Sequence, residues 1–400
     1  MTTQAGHDEL NRLRVECPIS QPRPGVHLVV GCDDAVRILR DPALFSGRHD
    51  AAILPDHRTL PELDPLDHGP RRRIVGRVFS SERVEGARAV VAAISTRLVT
   101  RVVADRSAEL IEDLAAPLIA EVVARLLGIS EADRVQVYAW VDDLAQGDVL
   151  PPAVRSRRSP ASAQSFRAWV LTQAEARRSG QVTEDDGLAQ MLQPDPVTGK
   201  VLNDDELVLD VQALCQAGIG ASRRLIGNLL YEVITHRELF ERLKAEPDLV
   251  SRSVEESLRH TPPVQFLMRT CTGAADVAGV PIADGDRLVI SLSSINRDEK
   301  RCPHGANFDV DRPSDTRHLA FGRGAHYCPG AGLARLVAAQ AVRDLVASVE
   351  SIELAPAFVY APQQSLVAWG PPCLNVVMTT DASPALSLAA TEGGSRRLDR

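Results

Sequence analysis

The chain has 400 residues, 44% of them hydrophobic, with 45 basic and 53 acidic side chains and a formal charge of −8. That is enough apolar material for one large core or two lobes, and the mildly acidic balance argues against nucleic acid as the main partner. The polar, charged start of the chain and the lack of a run of about twenty apolar residues predict a soluble cytoplasmic protein without a membrane span. The seven cysteines, at 17, 32, 215, 271, 302, 328 and 373, form no paired spacing. They fit a reducing compartment better than a disulfide framework.

In chain order, residues 26–30 read as a strand and 34–40 as a helix ending before Asp41-Pro42. Residues 54–70, rich in Pro, Asp and His, read as a loop. Helical stretches are predicted over 71–79 and 81–103, then a strongly apolar one over 110–127 that Gly128 stops. Residues 131–146 and 164–178 are further helices, with a loop between them that carries Arg155, Arg157 and Arg158. The longest helical run spans 204–235, capped by Asn203 or Asp204. Helices over 238–244 and 249–260 follow. Residues 262–289 break into short apolar pieces divided by Gly and Pro, which predicts strands. The polar segment 379–400 is expected to be disordered. No internal repeat is visible, and the fold class is mostly α with a small β portion.

Cys328 sits in the run Phe-Gly-Arg-Gly-Ala-His-Tyr-Cys-Pro-Gly over residues 321–330. A strand is predicted to end in this Gly-loosened loop, which presents one thiol and hands over to a helix over 331–350. Glycines 322, 324 and 330 allow turns that side chains would block. Backbone N–H groups near such a loop and helix start can hold sulfur as an anion. A thiolate held this way is what a haem iron takes as an electron-donating axial ligand.

The run resembles the haem-ligand loop of the cytochrome P-450 (haem-thiolate) superfamily. That pattern reads Phe, Gly, any, Gly, any, His, any, Cys, any, Gly. Its fixed positions are filled by Phe321, Gly322, Gly324, His326, Cys328 and Gly330. The resemblance implies the cytochrome P-450 fold in one catalytic domain over 25–378, with an arm over 1–24 and a tail over 379–400. It implies haem b as cofactor, Cys328 as the iron ligand, Phe321 packed over the sulfur and His326 on a haem propionate.

Other segments resemble the same family. Glu256 and Arg259, three apart on one helix face, match a structural Glu-x-x-Arg motif. Asn296-Arg297-Asp298, Phe308-Asp309 and Arg312 resemble the stretch leading to the ligand loop, again structural. His68 and Arg72 occupy a His-x-x-x-Arg pattern that neutralises a propionate, and Arg269 matches a strand arginine that reaches one. Arg71, Arg73 and Arg77 are expected to face solvent as a basic patch for an acidic electron carrier. Val264, Gln265, Phe266, Leu267 and Val367 are expected to line the substrate site. The loop 51–64, the region 140–169 and the helix around 215–222 complete it.

The chain departs from the pattern at Ala217-Gly218-Ile219-Gly220-Ala221-Ser222. The family has an acid and then Thr where this chain has Gly220 and Ala221. Those two side chains supply protons while dioxygen is cleaved. Ser222 lies about 100° further round the helix and is a poor substitute unless the helix bulges. Gly218 and Gly220 each cost about 1 kcal/mol against Ala in a helix interior. They fit either room for a bulky substrate or protons drawn from water or substrate. Members of the family without this pair often couple substrates. The leading expectation is therefore oxidative C–C or C–N coupling of an aromatic substrate such as an indole, a phenol or a tryptophan-containing cyclodipeptide. The alternative is a hydroxylase or epoxidase of a natural-product scaffold. Electrons are expected from a ferredoxin and its reductase, since no flavin or iron–sulfur segment is attached.

Overall fold

The structure is a computed structural model that describes residues 4–48, 58–145, 160–313, 318–356, 358–360 and 369–380. Val367, residues 51–57 of the expected substrate loop, the arginines at 155, 157 and 158 and residues 381–400 lie outside the described residues.

The long helix Asp204–Thr235 organises the larger core. Its start follows from a reciprocal cap: Asn203 Oδ1 accepts from the Glu206 N–H at 2.9 Å, and the Asn203 N–H donates to Glu206 Oε2 at 3.0 Å. Asp204, Asp205 and Glu206 also place negative charge at the positive end of the helix dipole. Leu207, Val211, Leu225, Ile226, Leu229 and Val233 are buried along it. Around it pack the helices Ala116–Leu127, Leu249–His260 and Ala331–Ser348, and the last of these also packs on Arg88–Ala104.

The apolar run over 110–127 is helical but not uniform. It opens with a π-turn, Ile111–Ala115, before the α-helix Ala116–Leu127. Carboxylates satisfy the N–H groups at its start: Glu109 accepts from those of Ile111 and Glu112, and Asp113 accepts from that of Glu109. Gly128 ends the helix in the left-handed region, at φ +75°. The predicted helix over 81–103 is two helices, Ser81–Gly86 and Arg88–Ala104, which meet at Ala87. Helix Pro65–Arg77 begins inside the segment expected to be a loop. Proline at the first helical position loses no bond that the helix needs, so the Pro-rich composition misled the reading.

A five-stranded sheet carries the second core. Its order is Ile19–Arg23, Val26–Val29, Arg287–Ser291, Phe266–Cys271, Phe45–Ser46, and only the pair Val26–Val29 with Arg287–Ser291 is parallel. Described residues of the expected N-terminal arm belong to this lobe. Helix Gln4–Glu16 is tied down by Arg14, which donates to Ser294 Oγ at 3.2 Å and to the Arg297 carbonyl at 2.9 Å. A three-stranded sheet joins Ser107–Glu109, Asn375–Thr379 and Ser351–Leu354, so Thr379 pairs with Ser351.

No strand precedes the ligand loop among the described residues, contrary to expectation. The Leu319 N–H is taken by Asn296 Oδ1 at 2.7 Å, and Gly322 N–H turns back onto the Leu319 carbonyl at 2.8 Å. The backbone there is already committed to turns and has no ladder to join. Among the described residues, no helix is long and apolar enough to cross a membrane.

Candidate functional site

The loop that presents Cys328 is closed by its own backbone. Cys328 N–H donates to the Phe321 carbonyl at 2.9 Å, across a 3₁₀ turn at Gly324–His326. Gly322 and Gly324 hold φ of +72° and +73°. A Cβ at 324 would fall 2.5 Å from the Leu39 carbonyl oxygen, so glycine lets the loop press onto helix Cys32–Arg40. Gly330 has an ordinary φ of −85°, and a Cβ there would meet the Phe79 ring at 3.6 Å. Of the three loop glycines, 322 and 324 are the ones the backbone requires.

Cys328 is half-buried. Burial pushes its thiol up, against the N–H groups of Gly330 and Ala331 and the nearby Arg72 and Arg335. A metal cation on the sulfur would tip this balance to thiolate outright.

Beside the thiol lies a cluster of basic groups from three elements. His68 sits on Pro65–Arg77 and His326 on the ligand loop, with ring centroids 4.2 Å apart. Arg72 follows His68 by one turn, and Arg269 comes from strand Phe266–Cys271. Burial, then Arg72 and Arg269, push His68 down to about 4. Burial, then His68 and the same two arginines, push His326 to about 3, with Asp64 acting the other way. Burial alone lowers Arg269 to about 10, and it lowers Arg72 against the pull of Cys328. His326 Nδ1 is buried without a hydrogen-bond partner among the described residues. Buried cationic and donor groups are costly without an anion. This donor set suits two carboxylates beside a thiol, the chemistry that a haem presents with its propionates and iron. The residues fit the group.

Of the flanking arginines expected to face solvent, Arg73 is exposed and Arg77 partly so, while Arg71 is not. Arg71 is fully buried: it bonds Asp210 through Nε at 2.7 Å and Nη2 at 2.8 Å, and also donates to the carbonyls of Arg58 and Glu206. Arg73 makes a two-bond pair with Asp195, and Arg77 donates to the carbonyls of Pro194 and Gln193. Helical spacing explains the burial of Arg71: with His68 facing inward, positions 71, 72 and 75 share its side, and 73 does not.

Glu256 and Arg259 form a buried pair, with Nε and Nη2 both 2.7 Å from the carboxylate. Glu256 also accepts from the Asp309 N–H and from Arg312, while Arg259 donates to the carbonyls of Asn296, Gly305 and Asn307. The pair thus pins the segment that leads to the ligand loop. Arg297 donates to the His260 carbonyl in the same region.

On the long helix, residues 217–222 are regularly helical, so no bulge brings Ser222 round, and its side chain is buried. A Cβ at Gly218 would lie 3.1 Å from Val123, so this glycine also serves helix packing. The sequence reading missed Arg224. Its Nη1 donates to the Gly220 carbonyl at 2.6 Å and lies 3.5 Å from where a Gly220 Cβ would be. The i to i+4 spacing was the signal available for it.

The expected substrate residues do not share one face. Strand alternation puts Leu267 with Arg269 and sends Phe266 to the opposite side. The Gln265 amide turns back onto the Pro262 carbonyl at 2.6 Å, and Val264 and Leu267 both pack on the second core.

Comparison with known proteins agrees with this geometry. The family model for cytochrome P450 matches residues 87–347. The chain is 34% identical to cytochrome P450 monooxygenase PikC of Streptomyces venezuelae, over 84% of this chain and 82% of that protein. It is 30% identical to the erythromycin C-12 hydroxylase of Saccharopolyspora erythraea, over 85% and 86%. The crystal structure of CYP109E1 from Bacillus megaterium in complex with testosterone superimposes with a TM-score of 0.83 at 26% identity, covering 93% of this chain and 98% of that one. The fold and the Cys328 loop define a haem-thiolate oxidoreductase. The chain belongs to the cytochrome P450 family, whose haem iron is held by a cysteine.

Proposed function

We propose that this protein is a monooxygenase that hydroxylates a natural-product scaffold of macrolide or steroid size. The reaction inserts one oxygen atom of dioxygen into a C–H bond and reduces the other to water with two electrons and two protons. The observation that carries the haem assignment is the buried basic cluster beside Cys328. Cys328 would ligate the iron, while His68, Arg72, Arg269 and His326 would hold the propionates. The haem supplies the oxygen activation. Glu256 and Arg259 would keep the approach to the ligand loop rigid, and Leu267 would border the substrate. A single catalytic domain, widened to include helix Gln4–Glu16 and strand Ile19–Arg23, is part of this reading.

Hydroxylation takes precedence over coupling because the similar proteins named above include a monooxygenase and a hydroxylase. The absence of acid and alcohol at Gly220 and Ala221 keeps coupling as the second reading. With no proton-bearing side chain there, water held near the Gly220 carbonyl and Arg224 would carry the protons.

A ferredoxin with its reductase would deliver the electrons. A cleft of about 670 Å³ backs the ligand loop; Glu255 and Glu256 pair with Arg335 and Arg312 in its wall, and Arg40, Arg252 and Arg323 line it as well, so cations outnumber the carboxylates. That cationic wall on an acidic chain suits an acidic carrier better than the flank of Arg71, Arg73 and Arg77 does.

The test is product mass. The purified protein, a ferredoxin system and NADPH would be run against macrolides and steroids beside indoles, phenols and aromatic cyclodipeptides. A product with one added oxygen is expected. A product that has lost two hydrogens and gained no oxygen overturns hydroxylation in favour of coupling.

A further inference from the structure

Arg335 enters the cleft behind the ligand loop from the first turns of helix Ala331–Ser348. Its guanidinium carbon lies 4.5 Å from the centre of the Phe321 ring. Each of its three nitrogens makes a hydrogen bond. Nε and Nη2 donate to the two oxygens of Glu255 at 2.6 and 3.0 Å, and Nη1 donates to Tyr327 Oη at 3.3 Å. Glu255 is fixed in turn by His318 Nε2 at 3.2 Å. The His318 Nδ1 accepts from the Ala320 N–H at 3.2 Å, which leaves Nε2 as the donor. The rings of His318 and Tyr327 lie 6.0 and 6.2 Å from that of Phe321. Phe321 is therefore boxed on several sides, and its own carbonyl accepts the Cys328 N–H.

Through Phe321 the guanidinium is tied to the ligand loop itself, since the residue it stacks on is the one whose carbonyl holds the Cys328 N–H. Burial raises the Glu255 carboxyl, but the bonds from His318 and Arg335 outweigh it and hold the group at about 2, so it stays an anion. A fixed cation and a fixed anion thus stand together beside the ligand loop, the cation stacked on Phe321.

We propose that Arg335, clamped by Glu255, is a positioning residue that sets the electron affinity of the haem held on Cys328. Arg335 does this by its positive charge, which the bonds to Glu255 and the stacking on Phe321 keep beside the ligand loop. Reduction adds one negative charge to the site, and a nearby cation favours the reduced state. Glu255 offsets part of that charge while it holds the guanidinium in place. The inference rests on the assignment of Cys328 as the iron ligand.

The experiment is a redox titration of the haem-loaded protein and two single variants, each first checked for a thiolate-type carbon monoxide spectrum. Arg335→Gln is expected to make the haem at least tenfold harder to reduce, a downward shift of about 59 mV for a one-electron couple. Glu255→Gln is expected to shift the midpoint upward. Opposite signs are the mark of charge, since loosening of the loop alone would move both variants the same way. Two unshifted midpoints, or two shifts of one sign, overturn the proposal. If Arg335→Gln does not fold, Glu255→Gln and Arg335→Lys decide it. Lys keeps the charge but loses the fork and the stacking, so an Arg335→Lys midpoint near the parent's beside an upward shift in Glu255→Gln supports the charge role. An unshifted Glu255→Gln overturns it. Loss of the thiolate-type spectrum in the unmutated protein would instead sink the ligand assignment.

Discussion

Arg71 offers a quantitative test of how the site is braced, because it joins the helix that bears His68 and Arg72 to the long helix. Both partners are buried: Arg71 is 0% exposed and Asp210 is 2% exposed. Arg71→Met removes four donated hydrogen bonds at once and leaves the Asp210 carboxylate alone in the core. Breaking a buried pair from one side costs about 3–5 kcal/mol, a large part of a typical stability of about 5–15 kcal/mol. Burial already raises Asp210 from its ordinary value of 3.8, and loss of Arg71 raises it further. A carboxyl whose folded-state pKa exceeds its unfolded one binds protons more tightly when folded. Its neutral form is then tolerated at low pH, and the stability this provides is lost as pH rises through the folded pKa. The deficit of the variant should therefore be larger at pH 8 than at pH 5. Urea unfolding of the haem-loaded protein, followed by circular dichroism and haem absorbance, measures it. The double variant Arg71→Met with Asp210→Leu should recover most of the loss, since the stranded charge is gone. A single-variant deficit under about 1 kcal/mol, or one that grows on acidification, would refute the reasoning.

Gly324→Ala should cost about 1–3 kcal/mol and weaken haem retention, because φ is +73° and the new methyl group would meet the Leu39 carbonyl at 2.5 Å. Gly330→Ala is the control: with φ of −85° and ordinary contact to Phe79, it should leave haem retention unchanged. Glu256→Gln strands Arg259, which is 2% exposed, and should lower stability by about 3–5 kcal/mol in urea unfolding; a loss comparable to that of a surface pair would count against the pinning role. His68 is pushed from 6.5 down to about 4 in the haem-free fold. The folded state then binds this proton less readily than the unfolded one, so stability is present above 6.5 and lost as pH falls towards about 4. His68→Phe should flatten the urea midpoint of the haem-free protein across that window, and an unchanged slope would contradict the assignment.

The motif-bearing features were legible in the sequence because they rest on short-range rules. The ligand loop needs left-handed backbone at two positions, and the glycines at 322 and 324 announce it. The long helix has the bounds its cap and apolar spacing predict, Asp204–Thr235, and the pair of Glu256 with Arg259 follows from helix spacing alone. The folding of residues 4–23 was not legible, because an edge strand and an amphipathic helix earn their place only through partners such as Ser294, some 280 positions away.

The sequence by itself determined the chemical types that the site brings together: one thiol in a Gly-rich turn, and histidines and arginines of the kind that answer carboxylates. Only the tertiary structure decided the charges around it. Arg71, Arg73 and Arg77 read alike in the chain, yet Arg71 pairs in the core and the other two tie down the loop before the long helix. Glu255 and Arg335, 80 positions apart, became one clamp only when two helices brought them to 2.6 Å. A side chain's type is a local property, whereas its exposure and its counter-charge belong to whatever the fold packs against it.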